Sequence, residues 1–302
     1  MARASTPSQE QGQRMDGPSM TQFSASRVSV MLALAAALVA HAAPDAGAPQ
    51  VADLALAAAT VEPAVVRIEG DTLFYRGNLS PASSRAWQRT VEGASPGQLA
   101  RLVIASGGGD TVEGRRLGRW VRQMKLVVEV DTICFSSCAD YIFPAGRARR
   151  IRDGAIVGWH GNERSLEVQA ARAGLSLKAY FLRRFGSEIA NAPADMRQGL
   201  SIDAFVNQRL AEMQSRSADE KAFFADLTLD DHFTVCGVGD VLERRPDYRH
   251  QQGWGFALGE MARLGLTDTI YLGAGAYHQT PRFLELLMPL TAQQCLDLMP
   301  TR

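Results

Sequence analysis

Lysine is nearly missing from this 302-residue chain: Lys125, Lys178 and Lys221 are all it has. Arginine carries the rest of the positive charge, and Lys+Arg balances Asp+Glu at 32 each, so the formal net charge is zero. A balanced chain with no basic stripe lacks the electrostatic footprint of a nucleic-acid binder. Cysteine is sparse as well, at four (Cys134, Cys138, Cys236 and Cys295). No second C-x-x-C and no H-x-x-x-H supplies the three or four ligands a zinc site needs, so no metal is expected. The glycine run at 107–109 is not followed by the Gly-Lys-Ser/Thr of a phosphate loop, and no nucleotide cofactor is expected. Long apolar runs are also lacking. The stretch VSVMLALAAALVA (28–40) is shorter than the ~20 residues of a membrane span.

That short run has a different reading. Arg27 precedes it and Ala40-His41-Ala42 follows, which is the pattern of a secretory signal peptide, with Met20 as an alternative start. The expected organisation is a signal over 1–42, a linker over 43–61, a domain over 62–272 and a C-terminal extension over 273–302. The mature protein is then periplasmic or secreted, without a membrane span. Export permits disulfides, and four cysteines allow three full pairings. Cys236 and Cys295 could staple the C-terminal part. Cys134 and Cys138, four apart, either bridge or pack as two small thiols.

Along the chain, 64–79 alternates in the manner of a strand or hairpin, and 80–93 opens with helix-capping residues. ARLVIAS (100–106) is a continuously apolar strand, and GGGD follows it. Leu117, Trp120, Val121 and Met124 recur at helical spacing and define one apolar helix face. A strand over 126–134, a short helix ending near Gly146 and a strand over 154–161 follow. Residues 164–226 read as helical, broken at 191–195. The chain from 231 is loop-rich, and 257–268 holds a short helix. This order gives βα units, hence an α/β fold with a mostly parallel sheet.

Three strand ends carry chemistry: Ser106-Gly107-Gly108-Gly109, Ser136-Ser137 and His160. In parallel sheets, ligands gather at the carboxyl ends of the strands. A serine on a turn into a helix faces free N–H groups that stabilise an oxyanion, and a histidine titrates near neutrality as a base. Read this way, Ser137 is the nucleophile, His160 the base, and Gly108, Gly109 and Cys138 provide the oxyanion hole. Taken singly, each feature also has a structural role, as helix cap, flexible turn or buried histidine.

VIASGGGDTVEGRRLGRWVR resembles the oxyanion segment of Clp-type serine peptidases, and CFSSCADYIFPAG resembles their nucleophile turn. In that family the serine lies nine residues before the glycine of an Ala-Gly pair, and counting back from Gly146 selects Ser137. GAIVGWHG places His160 where the family's histidine ends the next strand. The resemblance covers about residues 62–162, with an echo in FALGEMARLGLTD. It is nearest to exported Clp-protease-like proteins with a Cys-x-Ser-x-Cys turn. It implies a Clp-protease/crotonase-like fold of repeated β-β-α units with a helical, loop-rich C-terminal extension. It also implies serine peptidase chemistry on a peptide or protein substrate, and homo-oligomers. The family's proline is Gly107 here. The family's acid falls near Gly253-Trp254, where neither residue is acidic; Asp247 is the nearest upstream carboxylate. Lys178 is the one lysine placed for a Ser-Lys variant. Two other readings compete: a non-catalytic member that binds a peptide or envelope partner, and a crotonase-type thioester enzyme.

Overall fold

The computed structural model describes residues 59–239 and 251–299. The expected signal, most of the expected linker and Asp247 lie outside the described residues.

Strands β1 (Val65–Glu69) and β2 (Thr72–Arg76) form an antiparallel hairpin that turns at Gly70, where φ is 59°. Helix α1 (Pro81–Thr90) begins at Ser80, whose hydroxyl accepts the Ser83 N–H, with Pro81 in its first turn. Next come β3 (Arg101–Ser106) and α2 (Thr111–Met124). The Asp110 carboxylate caps α2 by accepting the N–H groups of Val112 and Glu113, and Lys125 closes the helix in the left-handed conformation. Strand β4 (Val127–Phe135) leads into a π-helical turn, Cys138–Ile142, which continues as Phe143–Ala145. Beyond it lie β5 (Ala148–Ile151), β6 (Ile156–Gly158), α3 (Ser165–Arg172), α4 (Leu177–Asn191) and α5 (Ile202–Leu227). The rest comprises β7 (Gly253–Phe256), α6 (Leu258–Arg263), β8 (Thr269–Tyr271), α7 (Pro281–Leu286), β9 (Leu287–Leu290) and α8 (Ala292–Asp297).

The fold is α/β with a mostly parallel sheet. Its strand order is β1-β2-β3-β4-β5-β8, and every pairing after the first hairpin is parallel. β4 is long enough to serve two neighbours. Val127 to Val130 pair with β5, and Ile133 to Phe135 pair with β6. A register shift between Ile104 and Ser106 marks the point where β4 changes neighbour, and the candidate site lies just beyond it.

Helix α2 covers one sheet face. Its apolar stripe brings Leu117, Val121 and Met124 into the same buried core as Leu102, Ile104, Val128 and Val130 of the sheet. Each such side chain contributes roughly 1.5–3 kcal/mol of burial. Trp120, the fourth residue of the stripe, is only partly buried and packs 5.4 Å from the Trp87 ring. Two glycines on α2 admit the π-helical turn. A Cβ at Gly114 would lie 2.8 Å from Tyr141 Cδ2, and one at Gly118 would lie 2.5 Å from the Tyr141 carbonyl oxygen.

The last thirty residues, ambiguous in sequence, fold onto this body. β9 pairs in parallel with β7, Cys236 bridges Cys295, and the Val157 N–H donates to the Tyr277 hydroxyl at 2.7 Å. The break expected at 191–195 falls between α4 and α5. Those two helices share a small core of Phe181, Ile189, Phe205, Val206 and Leu210. Among the described residues, no helix is long and apolar enough to cross a membrane.

Candidate active site

The ends of β3, β4 and β6 converge, as their pairing requires. The Ser136 N–H donates to the Gly158 carbonyl at 3.1 Å, which brings the turn after β4 to the end of β6. Ser136 has φ 56°, in the left-handed region that a side chain with a Cβ enters at a cost. Its hydroxyl lies 2.7 Å from His160 Nε2. The imidazole stacks on Phe135, with centroids 5.1 Å apart and planes 13° apart. β7 fixes the strand end from the other side, through Trp159 N–H to Trp254 O at 2.9 Å and Trp254 N–H to Trp159 O at 2.8 Å. Gly253 leaves room for that pairing, because a Cβ there would lie 2.0 Å from the Trp159 carbonyl.

Ser137 is placed differently. It is 1% exposed, and its hydroxyl donates to the Gly109 carbonyl at 2.8 Å. The structure therefore brings His160 to Ser136, not to Ser137. The left-handed backbone of Ser136 points its hydroxyl at the imidazole, and the turn that follows encloses Ser137. The Phe143 N–H bonds the Cys138 carbonyl, an i to i+5 contact, so the turn is a π turn. A π turn carries one more residue than an α turn. The nine-residue count from Gly146 selects Ser137, whereas the hydroxyl that faces His160 belongs to the residue before it. The sequence held a better marker: the centre of Cys134-Phe135-Ser136-Ser137-Cys138 is Ser136. Cys134 and Cys138 form a disulfide across that centre, with Cα atoms 5.2 Å apart. Both cysteine pairs are bridged, so the four residues are not thiols.

The N–H groups expected as oxyanion donors are not all free. The Gly108 N–H is taken up by Ser106 Oγ at 3.1 Å, so it is not available to a substrate. The Gly109 N–H bonds no described residue. With Ser136 facing the base, the next N–H in the chain is that of Ser137, in place of Cys138. Gly108, at φ 95°, has to be glycine: a Cβ would lie 2.7 Å from the Ser136 Cβ. Lys178 is not part of this arrangement, since its ammonium bonds Asn207 on α5 at 3.0 Å.

Burial lowers the His160 pKa from its ordinary 6.5. The ring edge reaches solvent, but protein packed around it disfavours the imidazolium. The neutral ring, which can accept a proton, thus persists into mildly acidic solution. Any His160-dependent activity is expected to hold below pH 6.5, with the acid limb of its pH–rate profile centred under that value. A limb centred above it would contradict this environment. No described carboxylate accepts a hydrogen bond from His160 Nδ1.

Beneath the turn lies a buried charged cluster. Tyr141 donates to Glu220 Oε1 at 2.6 Å, and Arg115 donates through Nη1 to the Tyr141 hydroxyl at 3.3 Å. Arg115 Nε meets Asp219 at 2.7 Å. Asp140, also on the turn, is fully enclosed, and neither of its oxygens has a partner. Desolvation, reinforced by Glu220, raises the Asp140 pKa well above the usual range, and desolvation pushes Glu220 up to about 8. The sign for stability follows. A carboxyl that holds its proton more tightly when folded stabilises the native state at low pH, and that contribution is lost as pH rises from 4.5 to about 8. Unfolding free energy is expected to fall by about 3–5 kcal/mol across that window. Glu220→Gln should flatten the slope, as urea unfolding at pH 5 and pH 9 would reveal.

Among the described residues, the one group with metal-ligand spacing is Asp230, Asp231 and His232. Asp231 is ion-paired to Arg164, and Asp230 lies 3.0 Å from His232 Nδ1. That pairing already accounts for the cluster.

No family model matches the sequence. No curated protein matches it either. Among solved structures, the chain is similar to a ClpP1 variant from Listeria monocytogenes, at 14% identity and TM-score 0.29, over 45% of this chain and 77% of that one. It is similar to an enoyl-CoA hydratase from Mycobacterium avium subsp. paratuberculosis, at 14% identity and TM-score 0.28, over 63% and 98%. A third likeness is to Pseudomonas aeruginosa DspI, at 11% identity and TM-score 0.26, covering 33% of this chain and about half (53%) of that one. At such scores these are likenesses only, and the reading of the site rests on its own geometry.

Proposed function

We propose that the protein is an exported serine hydrolase, a peptidase by class, with Ser136 as nucleophile and His160 as general base. The observation that carries this reading is the 2.7 Å contact between His160 Nε2 and a half-buried hydroxyl held at positive φ. Ser136 Oγ attacks the substrate carbonyl carbon and its proton passes to Nε2. The Gly109 and Ser137 N–H groups bind the oxyanion that forms. Collapse breaks the scissile bond, and the leaving group takes the proton from His160. Water then attacks the acyl-enzyme, giving a proton to His160, which returns it to Ser136 as the acid departs. No metal or cofactor enters these steps.

Two disulfides favour an oxidising compartment, in keeping with the signal-like N-terminus. Asp247, the carboxylate the sequence nominates as third member, lies outside the described residues. The alternative is a fold that binds peptide or an envelope partner without turnover; its support is the lack of a described carboxylate at Nδ1. Turnover of a casein digest or of p-nitrophenyl acetate, lost in His160→Ala, tests the hydrolase reading. Folded protein that consumes neither substrate, yet retains peptide on a column, would favour the binder.

A further inference from the structure

We infer that Ser137 is a positioning residue that holds the Gly107–Gly109 turn with its free N–H toward the reacting carbonyl; the inference rests on the hydrolase reading above. The Ser137 hydroxyl has one proton, and that proton is given to the Gly109 carbonyl at 2.8 Å. A carbonyl oxygen is no general base, so this contact fixes geometry and activates nothing.

What it braces is the glycine-rich part of the site, tying the turn after β3 to the turn after β4. Gly108 and Gly109 have φ 95° and 131°, and glycine peptides reorient at little cost. Four other polar groups of the turn are anchored. Gly107 N–H bonds Ala59 O at 3.0 Å, and Gly108 N–H bonds Ser106 Oγ at 3.1 Å. Gly108 O accepts Leu79 N–H at 2.7 Å, and Asp110 N–H bonds Leu79 O at 2.8 Å. The Gly109 carbonyl is held by Ser137 alone among the described residues, and the N–H of the same glycine is the oxyanion donor. Ser137 therefore supplies its own N–H to the hole and uses its hydroxyl to brace the Gly109–Asp110 peptide, which adjoins the second donor, while Leu79 holds the Gly108 carbonyl of the donor's own peptide. Its burial, at 1% exposure, suits a clamp better than a nucleophile.

The test measures fluorophosphonate labelling kinetics on the full chain, separating the maximal labelling rate from the half-saturating probe concentration. Ser137→Ala should lower the maximal rate about 5- to 20-fold, the worth of one hydrogen bond, with half-saturation unchanged. Ser137→Thr, which keeps the hydroxyl, should restore most of the rate. A purely structural role would instead lower the melting temperature and leave the labelling rate of the folded fraction alone. An unchanged rate in Ser137→Ala, or a rate as low as that of Ser136→Ala, would overturn the inference. Failure of the hydrolase reading looks different, because the wild-type chain itself would then take no label.

Discussion

Replacing Ser136 with alanine is expected to reduce hydrolysis and acylation by on the order of 10^4-fold or more, while unfolding stability changes little. Ser136 sits on the turn surface and its hydroxyl has a single side-chain contact, the 2.7 Å bond to His160. Removing it deletes the proposed nucleophile and should leave the sheet, the π turn and both bridges in place. His160→Ala should cost a comparable factor. The double variant should be no worse than either single one, because the two residues act as a unit. The contrast with Ser137 is the informative part. A tenfold loss there against several orders of magnitude at Ser136 assigns the two adjacent hydroxyls opposite duties. Initial rates at saturating probe or substrate, with circular dichroism to confirm folding, make the comparison.

The second large effect is on stability. Arg115→Ala should destabilise the protein by about 1–3 kcal/mol, the cost of leaving buried polar groups without a hydrogen-bond partner, since Asp219 is half-exposed and keeps Arg119. The guanidinium is 1% exposed and meets Asp219 and the Tyr141 hydroxyl. Its loss leaves Asp140 and Glu220 enclosed with no positive charge between them. Arg115→Lys should recover little, since one ammonium cannot span both contacts. Combining Arg115→Ala with Glu220→Gln should recover part of the loss, and the double-mutant cycle measures the coupling. Urea midpoints at pH 8 provide the readout. A single-variant loss under about 1 kcal/mol would mean the cluster is solvated in solution. Because Asp140 and Tyr141 belong to the turn that follows Ser136, this variant should also slow labelling of whatever fraction stays folded.

Much of the fold was legible because the informative elements are long and cleanly patterned. ARLVIAS and the Leu117-Trp120-Val121-Met124 stripe are a buried strand and an amphipathic helix under any reading. Ser80 and Asp110 are capping residues standing where helices start. The short strands were harder. β5, with sequence ARRI, has two arginines in four residues, and β7, with sequence GWGF, has two glycines. Neither has the length for alternation to show. Both are strands because neighbours pair with them, which is tertiary information. The C-terminal segment is fixed in the same way, by β9 on β7 and by the Cys236–Cys295 bridge.

At the site, the sequence revealed the three strand ends but not which serine faces the histidine. A residue count fixes sequence spacing and not side-chain direction, and which hydroxyl meets His160 depends on the positive φ of Ser136 and on Ser137 turning to the Gly109 carbonyl. The spacing of the two half-cystines pointed to Ser136. Of the expected oxyanion donors Gly108, Gly109 and Cys138, the Gly108 N–H is occupied by Ser106, and the set proposed here is Gly109 and Ser137. The buried acids could not be read at all. Asp140 and Glu220 sit in helical segments where charge normally signals solvent. Their burial follows from Gly114 and Gly118 letting α2 close onto the turn, with α5 packed beside it.

The central claim is that Ser136, not Ser137, carries the reactive hydroxyl. The direct measurement is to label the purified chain with a fluorophosphonate, digest it, and locate the adduct by fragment-ion mass spectrometry. The account predicts a single adduct on Ser136 that disappears in His160→Ala. An adduct on Ser137, or no adduct on folded protein with both disulfides intact, would contradict it.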